Sequence, residues 1–458
     1  MNRKDISVFL KLYLLKLLGS AMLALTKKLE LLNFELVQAE EEGRDVKGIR
    51  ERFDSIDVSK VGHEELDELY DKIASSPTVA GWPYVEPNEL DEIRKRAGPE
   101  KDESTWTSRH ELHEKMLGAW LGRVIGNMLG KPVELWPKER IEEYLKKAGC
   151  YPLDYYIPEL VPHKDAGIQD YYYKFGGLRG NIKKALRDDD IDYTILGLLV
   201  LERKGFSFTT DDVAEEWLNR LPLYLTYTAE RETYRNLALG IKPPETATFW
   251  NPFREWVGAQ IRADPWGYAN PMRPWSAAEM AYRDARLSHV KNGIYGEMYV
   301  AAMVASAFML SEPLEVVQRG LSCIPKESRL AEAIRDSVDL WRKCESFDSA
   351  YDRAMSKYGR YHVVHTINNA VVVTLALLYG DGDFGKSICL SVSGGLDTDC
   401  NGATVGSVIG AMLGIKGIPE KWSSPLNDTI SSALSGMKEL KISDLAERMV
   451  EVVVRNWT

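Results

Sequence analysis

Two short acidic runs in this chain carry more carboxylate than a fold requires. Asp188-Asp189-Asp190-Ile191-Asp192 follows Arg187, and Asp397 and Asp399 stand in the run from Ser391 to Gly414, SVSGGLDTDCNGATVGSVIGAMLG. Each run opens an apolar stretch of helical character. An acid or two at such a start is ordinary, because the free N–H groups and the positive dipole end favour anionic side chains. Four carboxylates in five residues exceed that need. Their mutual repulsion raises pKa values unless a cation neutralises them. Clustered carboxylates select hard cations such as Mg²⁺, Mn²⁺ or Ca²⁺. A calcium loop fails in both runs, since Val408 and Leu199 stand where the bidentate glutamate belongs. A serine nucleophile elbow fails as well, because Ser391 occupies the glycine position before Ser393. What survives is a pair of acidic helix starts converging on a two-metal centre, which positions a substrate and activates a water. The plainer alternative is two N-capped, tightly packed core helices.

The elements that must position these acids are marked by glycine. Gly402, Gly406, Gly410 and Gly414 recur every four residues in the late run, and Gly118, Gly122, Gly126 and Gly130 do so in KMLGAWLGRVIGNMLGKPVELW. Glycine costs about 1 kcal/mol per helix position relative to alanine. A stripe of it therefore needs a reason, and the simplest is close approach of a second backbone. The spacing predicts that the two helices pack on each other. The earlier one should end at Gly130, ahead of Pro132, leaving Glu134 in the loop beyond. Neither a dinucleotide fingerprint nor a phosphate-binding loop is present, since GxGxxG is absent and the Gly126–Lys131 spacing is wrong.

Composition sets the outer bounds. A chain of 458 residues allows two or three domains, or one large domain with an extension. A net charge of −10 excludes a nucleic-acid polymer as the main partner. Five scattered cysteines without a CxxC point to a reducing, cytoplasmic setting. Lys11, Lys16, Lys27 and Lys28 interrupt the apolar N-terminal region, so no transmembrane segment is expected. Strand-like alternation is scarce, which makes the fold class all-α. Residues 1–75 read as an N-terminal helical arm, 76–107 as a connector, and 108–458 as the main domain. The arm carries no chemical motif. Its apolar positions Leu10, Leu14, Leu17, Leu18 and Met22 need cover. Either its own domain or another subunit supplies it, so the arm serves stability or the assembly of an oligomer. Trp250, Trp256, Trp266 and Trp275 read as packing, with a stacking surface as the functional alternative. His362 and His365, three apart with no carboxylate between them, read as structural.

The blocks GAWLGRVIGNMLGKPVE, DDDIDYT, LSHVKNGIYGE, HTINNA and GGLDTDCNGATVGS span about Glu111 to Ile442. Together they resemble the ADP-ribosylglycohydrolase family, which includes the dinitrogenase-reductase-activating glycohydrolases. The resemblance implies an all-α helical bundle with two divalent ions, Mg²⁺ or Mn²⁺. It also implies cleavage of an N- or O-glycosidic bond at the anomeric carbon of an ADP-ribosyl or related ribosyl group. By the same resemblance Asp188, Asp189, Asp190, Asp397 and Asp399 hold metal, and Glu134 and Asp399 are catalytic. Glu134, His289, Asn292, Tyr295 and Asn401 contact substrate. The sequence departs from the family pattern at Asp188, Ile191 and Cys400, where threonine is usual, and at Asn127, where aspartate is common. The register of the early motif leaves Asp192 as a further ligand candidate. Rival readings are a glycosidase for a free ribosylated metabolite and a non-catalytic ADP-ribose-binding scaffold.

Overall fold

The computed structural model describes residues 24–99, 102, 108–160 and 167–457. Its centre is the pair of glycine helices, Arg109–Gly130 and Thr398–Leu413. Ser108 caps the first by accepting a hydrogen bond from the Glu111 N–H. The two run antiparallel with their backbones in contact. Gly118 faces Gly410, Gly122 faces Gly406, Gly126 faces Gly402, and Gly130 faces Thr398. A Cβ added at any of these glycines would fall closer than 3.0 Å to the opposite main chain. The Thr398 hydroxyl closes the register by donating to the Gly130 carbonyl at 2.8 Å. Gly406→Leu is therefore expected to cost about 3 kcal/mol or more through overpacking. A lowered melting temperature would show it; an unchanged one would mean that the stripe faces a void.

The antiparallel register sets the end of the first helix beside the start of the second. Lys131–Val133 continues the first as a single 3₁₀ turn, and Glu134 follows. The helix Asp189–Lys204 is tied to this pair by Arg123, which is fully buried. Arg123 donates to Thr194 Oγ1 at 2.7 Å and to the Asp190 carbonyl at 3.0 Å, and pairs with Asp264 at 2.6 Å. Asn292–Ala307 and Thr366–Gly380 are buried on nearly every side, as expected of helices that are apolar all round. The sheet is one antiparallel pair, Thr429–Ser431 with Glu439–Lys441, leading into the closing helix Ile442–Trp457. The fold is all-α, as the sequence predicts. Among the described residues, no helix is long and apolar enough to cross a membrane.

The described helices of the arm, Leu25–Glu41, Lys47–Asp54 and His63–Ser75, lie against the Trp-rich segment. Leu31, Leu32, Leu36, Leu66, Leu69 and Ile73 share a hydrophobic cluster with Phe249, Trp250, Phe253 and Trp256. Buried charge runs across the same contact. Arg254 pairs with Glu35 at 2.7 Å and with Glu42 at 3.0 Å, and Gln38 Nε2 donates to Glu255 at 2.7 Å. Arg329 joins Glu255 to Glu86 of the connector region, both at 2.7 Å. Leu10, Leu14, Leu17, Leu18 and Met22 lie outside the described residues.

Candidate metal centre and cleft

The acids are set by two crossing loops at the ends of the glycine helices. Leu135 and Leu396 both adopt left-handed backbone, with φ of 62° and 65°. Such a conformation costs a non-glycine residue on the order of 1–3 kcal/mol and persists where the surroundings fix it. Here the two loops hold each other: the Leu135 N–H donates to the Leu396 carbonyl at 2.9 Å, and the Leu396 N–H donates to Trp136 at 3.3 Å. Gly395, at φ 71°, passes so close that a Cβ would lie 2.6 Å from the Trp136 carbonyl. Glu134 and Asp397 are thereby brought face to face.

Two groups of carboxylates result. Oxygens of Glu134, Asp397 and Asp399 lie within 4.8 Å of one another, and so do those of Asp188, Asp190 and Asp399. Asp399 belongs to both groups. Asp189 lines the same cleft. The two acidic runs, far apart in sequence, therefore meet. Asn127 Nδ2 donates to Asp188 Oδ1 at 3.1 Å and to Asp190 Oδ2 at 3.2 Å, and the Lys131 ammonium pairs with Asp188. Asp188 also caps its helix, accepting from the Asp190 N–H at 3.0 Å. Asp190 Oδ1 and Asp399 Oδ1 are buried without a hydrogen-bond partner. Unpartnered buried carboxylate oxygens are costly. An all-oxygen donor set with two such atoms fits a hard divalent cation. Asp192, the further ligand candidate, is taken elsewhere: it accepts from Arg187 at 2.8 Å, Ser432 at 2.6 Å and the Ala433 N–H at 3.1 Å.

Crowding shows in the protonation of the group. The charge of Asp399, then burial, then Asp188, push Glu134 up to about 9. Burial, then Asp188, push Asp189 up to about 8. Burial with neighbouring carboxylates also raises Asp190, Asp397 and Asp399. Asp188 goes the other way: burial opposes its charge, but the Lys131 ammonium holds it well below the usual carboxylate range. Burial, then Asp397, keep the Cys400 thiol protonated, so it is a poor ligand in the usual threonine position.

The sign of the pH dependence follows. The folded, cation-free protein keeps protons on Glu134 and Asp189 that the unfolded chain releases above its ordinary carboxylate range. The contribution of these two groups to stability then falls as pH rises from the ordinary carboxylate range towards about 8–9. Asp188 contributes in full across that window. A divalent cation displaces those protons. Added Mn²⁺ should therefore raise the melting temperature more at about pH 8 than at about pH 6. Thermal melts at both values, with and without Mn²⁺, measure this directly.

The acids form one wall of a cleft of about 660 Å³, within the range of roughly 300–1,000 Å³ usual for small-molecule sites. Tyr171, Tyr172, Tyr227, Trp256 and His362 contribute aromatic surface to it. Trp256 and His362 stack at 4.1 Å with their planes 10° apart. Of the four tryptophans singled out in the sequence, Trp256 alone is in this lining. Trp250 stacks on Tyr70 at 4.4 Å, Trp266 donates to Glu297 at 2.9 Å, and Trp275 is buried. His362, read as structural in the sequence, stands in the cleft lining against Trp256. No spacing in the sequence signals that, and none signals Lys131.

His289, Asn292 and Tyr295 are not brought to the cleft. His289 Nδ1 lies 2.8 Å from the Ser288 hydroxyl, Asn292 Nδ2 donates to Glu86 at 2.8 Å and Glu255 at 2.9 Å, and the Tyr295 hydroxyl donates to the Pro87 carbonyl. Asn292 and Tyr295 thus tie the main domain to the connector. Asn401 sits one step behind the acids. Its amide donates to Asn369 Oδ1 at 2.8 Å, and the same oxygen accepts the Asp397 N–H at 3.2 Å. Asn369, within the HTINNA block, thereby orients the late acidic loop, a role that block alone did not reveal.

A sequence profile of the ADP-ribosylglycohydrolase family matches residues 108–457. The chain belongs to this family. The matched span holds both glycine helices and both acidic runs, and leaves the arm helices outside. As an ADP-ribosylglycohydrolase family member the protein is a glycohydrolase by class. It is similar to a solved ADP-ribosylglycohydrolase-related protein complex, with 19% identity and a TM-score of 0.49 over 76% of this chain and 99% of that one. No curated protein matches the chain.

Proposed function

We propose that the protein is a divalent-cation-dependent glycosidase cleaving an N- or O-glycosidic bond at the anomeric carbon of an ADP-ribosyl group. The convergence of the two acidic runs in one cleft carries this reading. Glu134, Asp397, Asp399, Asp188, Asp189 and Asp190 are the residues that would hold Mg²⁺ or Mn²⁺. A bound cation would orient the ribose hydroxyls and polarise the reacting centre.

The chain's own residues do the rest. Glu134, the most solvent-accessible of these acids, takes the proton of the attacking water once its charge is balanced. Oxygen of that water joins the anomeric carbon, the bond to the leaving group breaks, and the leaving group departs with the proton that Glu134 removed from the water. The carboxylate wall favours the positive charge that develops on the sugar as that bond breaks. Trp256 and His362 offer a flat aromatic face to a base or sugar.

A free ribosylated metabolite is a second reading, favoured by the aromatic pair closing one side of the cleft. The test is a hydrolysis screen over ADP-ribosylated arginine and serine, nucleotides and small ribosides, with Mg²⁺ and with Mn²⁺. Turnover of an ADP-ribosyl compound that stops on chelation is the expected result. Turnover of simple ribosides alone selects the second reading, and binding of ADP-ribose without any turnover selects a scaffold.

A further inference from the structure

We propose that Lys131 takes the place of one divalent cation, so that the protein binds a single such ion, at Glu134, Asp397 and Asp399. This rests on the reading of the acidic cleft as a cation site.

The two carboxylate groups differ in what already neutralises them. At the Asp188–Asp190–Asp399 group a positive charge from within the chain is already seated, although Asp190 Oδ1 keeps no hydrogen-bond partner. Asp188 Oδ2 receives the Lys131 ammonium, and Asp188 Oδ1 receives both the Asn127 amide and the Asp190 N–H. Asp190 Oδ2 receives the Asn127 amide, and Arg123 stands 3.8 Å from Asp190 Oδ1. At the other group, among the described residues, no ion pair reaches Glu134, Asp397 or Asp399.

Lys131 is only 8% exposed. A buried ammonium needs an anionic partner or it costs several kcal/mol. Asp188 supplies one where the family resemblance leads to a neutral threonine. The ammonium is also held in place from below. Lys131 follows Gly130 directly, and Gly130 lies against the Thr398 main chain. A divalent ion entering that group would meet a fixed positive charge and a carboxylate already committed to it. The open group offers Asp397, Glu134 and the unpartnered Asp399 Oδ1; the Lys131 charge reaches Glu134 and Asp399 only through space and is paired with neither.

The experiment is calorimetric titration of the full chain with Mn²⁺ alone, with the bound ion counted independently by electron paramagnetic resonance. One ion per wild-type chain is expected. The Lys131→Ala/Asp188→Thr double variant removes both charges and leaves no buried ion unpaired, and it should take up a second ion. The single variant Lys131→Ala should do the same where it folds. Two ions of similar affinity in the wild type would overturn the proposal while leaving the glycosidase reading intact. One ion in a double variant that keeps the wild-type circular dichroism spectrum would also overturn it. No Mn²⁺ binding in the wild type would overturn the cation dependence itself, and this proposal with it.

Discussion

Asp399→Asn should abolish turnover and at the same time raise the melting temperature of the cation-free protein. Asp399 is the one carboxylate shared by both acidic groups. Losing it removes an oxygen donor from each, and activity should fall by roughly 10²–10⁴-fold, the range for a group that positions or moves a proton in the reaction. Stability should move the other way. The charge of Asp399 is the largest influence holding a proton on Glu134, and it also presses on Asp190 and Asp397. A neutral amide of the same shape relieves all three. Functional sites commonly carry this kind of internal conflict, and its removal stabilises. Hydrolysis assays beside melts in chelator decide the matter. A variant that melts lower than the wild type in chelator, or that keeps turnover, would count against the shared-carboxylate site.

Deletion of residues 1–75 should cost the protein its activity as well as its stability, although the arm holds none of the chemistry. Arg254 would lose both Glu35 and Glu42, and Lys291 would lose Glu42. Breaking a buried pair by removing one partner costs roughly 3–5 kcal/mol. Phe34, which stands against Trp256 and His362 at ring distances of 5.7 and 6.3 Å, would go too. Arg254 is two residues from Trp256, and the Val257 N–H donates to Val364 at 2.8 Å, so the disturbance enters the cleft lining directly. A folded, active deletion variant with an unchanged melting temperature would show that the arm is dispensable. Glu42→Ala tests the same contact with one substitution and should lower the melting temperature of a protein that still folds.

The acidic runs and glycine stripes were legible because each is local and costly. Four acids at one helix start, or four glycines at helical spacing, need a compensating partner, and each pattern names the kind of partner it needs. That the two helices pack on each other followed from the same spacing, while their antiparallel register came only with the structure. The opposite wall of the cleft was not legible. Trp256 and His362 look like any aromatic residue and any lone histidine, and their juxtaposition depends on a main-chain contact between segments about a hundred residues apart. Asn292 and Tyr295 show the opposite case. Their block is distinctive in sequence, yet their polar atoms are consumed by Glu86, Glu255 and Pro87 of neighbouring segments. A motif records that side chains are needed, not what they are needed for. Lys131 was hidden for a simpler reason: it read as a position beyond a helix end, and its partner Asp188 is fifty-seven residues away.

The backbone contact between the glycine helices also sorts the molecule's motions by cost. Two helices that touch main chain to main chain, with no side chains between them to yield, separate only when the core itself opens. The acid wall therefore stands on the part of the molecule that is costliest to open. The aromatic wall stands on turns and loops whose backing includes the arm, and elements of that kind open at much lower free energy. Opening of the cleft should therefore fall on the side that holds no carboxylate motif, and hydrogen exchange should be faster there than along the two glycine helices.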